Sequence, residues 1–319
     1  MTFLVFHMFL VLMTPVFTVN SFLYPIRIDS AMVAQQLLPL NDSIPRPQPL
    51  HPKQLQLDYE AIYFKRENQP GLKGWISYDT SKKTAPLMII VPDINEGKIS
   101  YLIDMAEWNA RGFHACVIDM RGQGESEGLF YDPGKNSAAD LVSMSHKLLS
   151  LERVEYFACM GVGTGAGICL LATTDTSFRP QSLVLQNPPM SLEQQFQRSA
   201  LKGWGGLLFP LLPVLKRSYE RTTGNDFHQN DYEEIISNCH IPYLIVGAGR
   251  VSKAEATDIN TLLKAGGNSG KRTFWELQEH DNEPFHSFSK KYYDHLSGFV
   301  VLSRQSPVYK TRKKKLVLE

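Results

Sequence analysis

The stretch MGVGTGAG, from Met160 to Gly167, decides the fold. It directly follows the apolar run VEYFAC, which predicts a buried strand, and directly precedes ICLLAT, which predicts a helix. A strand, a tight glycine turn and a helix form the context in which the pattern G-x-S-x-G presents a nucleophilic serine on a strained turn. Here the pentapeptide reads GVGTG over residues 161–165, so Gly163 occupies the serine position.

Short apolar runs alternate with helical patterns on both sides of this turn. Strands that helices bury on both faces have this composition, which predicts a mainly parallel sheet. The runs are PLMIIV (86–91), FHACVID (113–119), VEYFACM (154–160), SLVLQ (182–186), PYLIVGA (242–248) and RTFWEL (272–277). Before them, LDYEAIYFK (57–65) and LKGWISY (72–78) alternate apolar and polar residues, which predicts an antiparallel hairpin. Residues 190–235 interrupt the alternation and predict a small cap over the carboxyl edge of the sheet.

Two further stretches carry a family resemblance. FHACVIDMRGQGESEG (113–128), followed by DPGKNSAADL (132–141), resembles the α/β-hydrolase superfamily, most closely its serine-aminopeptidase-like and acyl-hydrolase-like branches. The loop after the fourth strand of that superfamily typically reads D-x-R-G-x-G-x-S-x-G. The resemblance covers roughly residues 57–303. It implies an α/β fold with a mostly parallel central sheet, an N-terminal antiparallel hairpin and a cap insertion.

The resemblance also assigns positions to a Ser-His-Asp triad, and two of the three hold unsuitable residues. Gly163 stands in place of the nucleophile, and Arg250 stands where the acid usually follows the seventh strand. The alternative acid position, after the sixth strand, holds Asn187. His280 matches the family's histidine, because its spacing to the closing helix fits better than that of His286. His280 is either a catalytic base or a loop histidine retained for hydrogen bonding.

The oxyanion positions depart from the family's pattern as well. The oxyanion loop after the third strand commonly begins His-Gly, whereas here it begins Pro92-Asp93. A carboxylate at Asp93 would oppose a developing oxyanion rather than stabilise it. Thr164 occupies the position whose backbone N–H serves the oxyanion hole, with its side chain turned away from the substrate. Cys159 falls within a predicted buried strand, where a thiol is inert, so neither residue suggests a substitute nucleophile.

Glycine-rich turns also bind phosphates, and a dinucleotide-binding turn is the alternative interpretation. Gly161, Gly163 and Ala166 fit the pattern G-x-G-x-x-G/A, but the next strand ends in Gln186 and Asn187 rather than in an acidic ribose ligand. No cofactor is therefore expected. The cysteines show no metal-ligand spacing, so no metal site is expected either, and three of the four lie in apolar runs that predict buried reduced thiols.

The N-terminal segment is uncharged from Thr2 to Ile26, which is long enough for roughly 20 residues to cross a bilayer. It predicts a membrane anchor. The alternative is a cleaved signal peptide and a secreted protein, although no Lys or Arg forms a positive n-region. Residues 27–55 contain four closely spaced prolines and predict a linker before the hydrolase-like domain of residues 56–304. The tail, residues 305–319, contains KTRKKK (310–315), which is either a solvated tail or a contact for anionic lipid.

Charge gives no sign of a nucleic-acid partner, because 33 Lys and Arg residues nearly balance 32 Asp and Glu residues. The leading hypothesis is an α/β-hydrolase-fold protein that has lost catalysis and binds a lipophilic small molecule or a protein partner at the membrane. Two alternatives stay open. The chain is an active hydrolase of esters or peptides whose triad lies in another register, or it is a structural scaffold at the membrane surface.

Overall fold

One eight-stranded sheet forms the centre of the computed structural model, which describes residues 49–94, 96–204, 210–227, 231–247, 253–267, 272–276 and 290–304. The strands are β1 (Asp58–Lys65), β2 (Gly71–Tyr78), β3 (Ala85–Val91), β4 (His114–Ile118), β5 (Val154–Val162), β6 (Leu183–Gln186), β7 (Tyr243–Gly247) and β8 (Arg272–Glu276). Their order is β1-β2-β4-β3-β5-β6-β7-β8. The pairs β1–β2 and β2–β4 are antiparallel, and the other neighbours are parallel. The predicted hairpin and the mainly parallel sheet are therefore confirmed.

Helices cover both faces of this sheet. They are α1 (Leu102–Asn109), α2 (Lys135–Leu149), α3 (Thr164–Ala172), α4 (Leu192–Trp204), α5 (Leu212–Thr223), α6 (Tyr232–Ser237), α7 (Lys253–Ala265) and α8 (Lys290–Ser303). Alternate residues of β3 divide between two cores, with Ile89 on the face covered by α2–α7 and Ile90 on the face covered by α1 and α8. Because both faces are buried, the central strands read as continuous apolar runs.

The predicted cap segment, residues 190–235, includes α4, α5 and the start of α6. Rings from both helices and from the following turn pack together, with centroids 5.2 Å apart for Phe196 and Tyr219 and 5.0 Å apart for Tyr219 and Phe227. Arg198 of α4 also donates to the buried carboxylate of Asp258 in α7, with 2.7 Å between Nη2 and Oδ1. These contacts fix α4 beside the carboxyl edge of the sheet.

The loop after β4, residues 119–128, is braced by buried charges. Asp119 accepts from both the backbone N–H (2.7 Å) and the Nζ (2.6 Å) of Lys98, and both side chains are almost fully buried. Arg121 donates through Nε (2.9 Å) and Nη2 (2.6 Å) to the buried carboxylate of Asp140 in α2. Each charge is paired with an opposite one, so the family-like loop acts as a structural brace in this chain.

The end of the predicted linker is folded onto the domain. Residues Pro52–Leu55 form a 3₁₀ helix, and the side chain of Gln54 accepts the backbone N–H of His51 at 3.1 Å. Leu50 and Leu55 pack against the core on the α1 and α8 face, so apolar contacts and a capping box order this stretch. The predicted anchor (residues 1–26) and the basic tail (305–319) lie outside the described residues. Within the described ranges, no helix combines the length and apolarity that a bilayer crossing requires.

Candidate functional site

The glycine turn lies at the junction of β5 and α3, at the carboxyl edge of the sheet. Gly163 has φ 51° and ψ −116°, a conformation that strains any residue with a side chain. Its N–H donates to the carbonyl of Gln186 at the end of β6 (2.9 Å), and its own carbonyl accepts from Ala166 in the first turn of α3 (3.1 Å). We call Gly163 and Thr164 the elbow, since this sharp turn redirects the chain from strand to helix.

The carboxylate of Asp93, from the loop after β3, sits on the elbow. Its Oδ1 accepts from the Thr164 backbone N–H, from the Thr164 hydroxyl and from the backbone N–H of Ile94, at 2.7 Å in each case. The backbone of Asp93 is fixed too, because its carbonyl accepts from Gln123 (2.9 Å) and its N–H donates to the Tyr101 hydroxyl (3.3 Å). Parallel strands end at one edge of a sheet, which is why residues 71 positions apart meet here.

The same carboxylate fills the space beside Gly163. A Cβ atom added at Gly163 would collide with the Cγ and both carboxyl oxygens of Asp93. The place that a serine side chain would take at the turn is therefore occupied. Glycine at residue 163 and aspartate at residue 93 are sterically matched to one another.

Asp93 is an unusual acid electrostatically. Burial raises its pKa to about 6, and the negative charge of Glu96 acts in the same direction. The hydrogen bonds from Thr164 and Ile94 lower the pKa and only partly offset these effects. The residue as a whole keeps partial exposure, but its carboxyl group is enclosed by the elbow and its own loop.

The cap segment closes over the other side of Thr164. The Gln195 side chain, from α4, donates from Nε2 to the Thr164 hydroxyl oxygen. Thr164 is fully buried, as is Tyr131 in the loop before α2. Burial raises the pKa of Tyr131 well above its usual value, and the charge of Asp93 adds to the effect. The sequence carried no signal for Gln195, Tyr131 or Gln123, because nothing in the local pattern shows which turn each side chain approaches.

The family model for serine aminopeptidase (S33) matches residues 82–245, which include β3 through β6, the start of β7 and the elbow. The chain belongs to this family. The predicted α/β-hydrolase resemblance is thereby confirmed. No curated protein matches the chain in sequence.

Solved α/β-hydrolase structures share the fold at low sequence identity. The Pyrococcus furiosus esterase Pf2001 is 14% identical with a TM-score of 0.61, over 81% of this chain and 95% of that one. The α/β-hydrolase GrgF from Penicillium sp. sh18 is 17% identical with a TM-score of 0.56, over 76% and 98% of the two chains. Est1E from Butyrivibrio proteoclasticus, solved with ferulic acid, is 15% identical with a TM-score of 0.55, over 77% and 100%. At these identities the similarity establishes the fold alone.

Asp93 accepts from two N–H groups at the positions that the sequence predicts for an oxyanion hole. In this fold the oxyanion hole consists of the N–H of the residue after the nucleophile and an N–H from the loop after the third strand. The sequence predicts that Thr164 and the loop of Asp93 and Ile94 hold these positions, and the N–H groups of Thr164 and Ile94 donate to Asp93 Oδ1. An acyl oxygen would therefore meet a carboxylate in place of two free donors.

The remaining triad positions are only partly covered by the structure. Asn187, after β6, has a positive φ of 47° and donates its N–H to the carbonyl of Val246 at 2.9 Å. The adjacent Gln186 side chain accepts from the hydroxyl of Tyr292 at 2.6 Å, and this hydrogen bond joins the end of β6 to α8. Arg250 and His280 lie outside the described residues. Pro92 is buried at the end of β3, directly before Asp93.

A recess of about 730 Å³ opens between α4 and α5, away from the elbow. It is lined by Glu193, Gln197, Leu212, Pro213, Lys216, Arg217, Glu220, Gly224, Asn225 and Asp226. Across it, the Nζ of Lys216 in α5 forms an ion pair with Oε1 of Glu193 in α4 at 2.8 Å. In the part of the chain that the structure describes, no cluster of three His, Cys, Asp or Glu side chains is arranged to hold a metal ion. All four cysteines are free thiols there, and Cys116, Cys159 and Cys169 are buried.

Proposed function

We propose that this protein is an α/β-hydrolase-fold protein without hydrolase activity, tethered to a membrane by residues 1–26 and acting by binding. The observation that carries the proposal is the Asp93 carboxylate, which occupies both oxyanion-hole donors beside a glycine in the nucleophile position. Substrate oxygen would have to displace a carboxylate held by three hydrogen bonds. No acyl-enzyme could then form at Gly163, because glycine has no side-chain nucleophile.

Electrostatics support the same conclusion. The tetrahedral intermediate of acyl transfer carries a negative charge, which donors at the oxyanion hole stabilise by about 3 to 4 kcal/mol each in working enzymes. An ionised Asp93 would repel that charge at hydrogen-bond distance. The site would therefore destabilise the intermediate instead of stabilising it.

The direct test is labelling of the full-length protein with a fluorophosphonate probe, together with hydrolysis of a short p-nitrophenyl ester. We expect neither labelling nor turnover above the uncatalysed rate, with the Pyrococcus furiosus esterase as the positive control. Restoring one part should not help, because triad members act as a unit. Gly163→Ser should stay inert, and its Cβ should clash with Asp93.

A graded set of variants separates loss of the nucleophile from blockage of the hole. Gly163→Ser combined with Asp93→Gly frees the donors, and adding Arg250→Asp and Pro92→His supplies an acid and the family's oxyanion-loop residue. Only this combined variant should approach measurable turnover.

The alternative function is an active esterase or peptidase that uses another nucleophile, and the esterases among the similar solved structures favour it. Ordinary turnover by the unmodified protein, abolished by His280→Ala, would establish that alternative.

The binding role and the tether are separate parts of the proposal. The uncharged segment from Thr2 to Ile26 supports the tether. Full-length protein should stay with membranes during alkaline extraction, and its recovery in the soluble fraction with an intact N-terminus would contradict this.

The bound molecule is proposed to be a lipophilic small molecule or a protein partner. Charged side chains border the recess between α4 and α5, so a ligand in that recess would need polar groups. A rise in melting temperature with monoacylglycerol or fatty acid would favour the lipophilic ligand.

A further inference from the structure

We infer that Asp93 is a latch that holds the elbow, the loop after β3 and the cap helix α4 together, and that this latch tightens in acid and loosens at neutral pH. The inference rests on the proposed function, in which Asp93 keeps the elbow closed, and it adds a mode of regulation to the same site.

Hydrogen bonds of Asp93 connect its own loop, the elbow and the loop after β4, and the Thr164 hydroxyl extends the connection to α4. The Thr164 hydroxyl donates its only proton to Asp93 Oδ1, which leaves the hydroxyl oxygen free to accept from Gln195 of α4. The Asp93 carboxylate therefore orients the Thr164 hydroxyl for its contact with Gln195. Gln123, from the loop after β4, holds the backbone of Asp93 from the opposite side. If Asp93 swings out, the Thr164 N–H and hydroxyl lose their acceptor, and the hydroxyl that accepts from Gln195 is no longer oriented.

The groups that face Asp93 disfavour its charge. Glu96 of the same loop is acidic and accepts from the Tyr101 hydroxyl, while Tyr131 approaches from the loop before α2. Helices α3 and α4 contribute the neutral Thr164 and Gln195. Among the described residues, none of these neighbours carries a positive charge, in contrast to Lys98 beside Asp119.

The direction of the pH effect follows from this environment. In the closed site burial and Glu96 raise the pKa of Asp93 to about 6, whereas an aspartate carboxylate released into water has a pKa of about 4. The closed form binds the proton more tightly, so protonation favours closing. As the pH rises through this interval the advantage is lost, and above about 6 the open form gains most from the solvation of the charge.

Hydrogen–deuterium exchange of the full-length protein tests the latch. After correction for intrinsic exchange, protection of the peptides that cover the start of α3 and residues 192–198 should fall by roughly 25-fold from pH 4.5 to pH 7.5. Asp93→Asn keeps an acceptor oxygen but cannot ionise, so its protection should not change with pH. A flat profile in the wild type, or an unchanged slope in Asp93→Asn, would overturn the latch.

Two further variants keep the result interpretable. Gln195→Leu leaves Asp93 in place and should abolish the pH dependence in α4 while α3 retains it. Asp175→Asn changes an exposed carboxylate whose pKa is lowered by its contacts with Ser177, and it should reproduce the wild-type profile. If Asp93→Asn fails to fold, carboxyl ¹³C titration of wild-type Asp93 decides, and a midpoint at or below ~4 contradicts the latch.

The latch and the proposed lack of activity fail separately. If the protein hydrolyses esters but its protection from exchange increases in acid, the latch is supported and the proposed lack of activity is contradicted. If the protein is inactive but its protection does not depend on pH, the proposed lack of activity is supported and the latch is contradicted.

Discussion

Two neighbouring loops at the carboxyl edge of the sheet hold an aspartate carboxylate in opposite ways. After β4, Asp119 accepts from the Lys98 ammonium at 2.6 Å, so its charge is neutralised by a cation. After β3, Asp93 accepts from two backbone N–H groups and a hydroxyl, all of them neutral. A buried charge that is paired with an opposite charge stays in place. A carboxylate that accepts only from neutral donors can instead move into solvent or become protonated.

The comparison divides the family's features into two groups. The loop of residues 119–128 keeps the family-like motif because its side chains brace β2, the Lys98 segment and α2. The elbow has a glycine with a positive φ at residue 163, and the N–H of Thr164 donates to Asp93. The scaffold is therefore retained, and the proposed loss of activity concerns the elbow and the loop after β3.

The largest expected effect comes from breaking the paired charge. Lys98→Met would leave Asp119 buried without its cation, which should lower the free energy of unfolding by about 3 to 5 kcal/mol. Urea denaturation at pH 7 measures it. Arg304→Met is the matched control, because its pair with Glu155 is exposed (45% and 38%) and should contribute less than about 1 kcal/mol. Equal losses in the two variants would contradict a special role for the buried pair.

The elbow gives the next largest effect. Gly163→Ala adds a Cβ at a strained conformation and pushes against the Asp93 carboxylate, which should cost about 3 kcal/mol in stability. Gly224→Ala is the control, since Gly224 has φ 71° but an added Cβ would meet no atom within 4 Å, and it should cost only about 1 kcal/mol. In an Asp93→Gly background the cost of Gly163→Ala should drop toward that of the control. Strict additivity of the two changes would exclude the steric match.

The unpaired charge should appear as a pH-dependent stability. The folded-state pKa of Asp93 is raised to about 6, so its contribution is greatest in acid and is lost as the pH rises through that value. Relative to wild type, Asp93→Asn should therefore gain about 2 kcal/mol in unfolding free energy between pH 4 and pH 7.5. Thermal or urea unfolding across that range checks the trend. A constant difference would mean that Asp93 titrates normally.

The smallest effect concerns a neutral hydrogen bond in the braced loop. The Ser126 hydroxyl donates to the Asp119 carbonyl at 2.5 Å and accepts the Lys73 backbone N–H at 2.8 Å. Ser126→Ala leaves that N–H without this acceptor and should cost about 1 kcal/mol, independent of pH between 4 and 7.5. A pH-dependent loss would show that the two loops are coupled rather than separate.

Much of the fold followed from the order of residues alone. The runs PLMIIV and VEYFACM are apolar on both faces and correspond to β3 and β5, and the alternation of residues 57–78 corresponds to the β1–β2 hairpin. Hydrophobic period and glycine placement are local properties, so a sequence expresses them directly. The same local pattern predicted the turn at Gly163, whereas the family resemblance implied that Asp93 lies in the oxyanion loop.

Only the tertiary structure decided that Asp93 itself accepts from the backbone N–H groups of Thr164 and Ile94. Oδ1 reaches Thr164 because β3 and β5 are adjacent and parallel, so the loop after one ends beside the turn after the other. Gln195 and Tyr131 are placed there by packing of the cap segment, which no short-range pattern encodes. The raised pKa of Asp93 has the same origin, because desolvation depends on every element that surrounds the carboxyl group and not on the residues next to it in the chain.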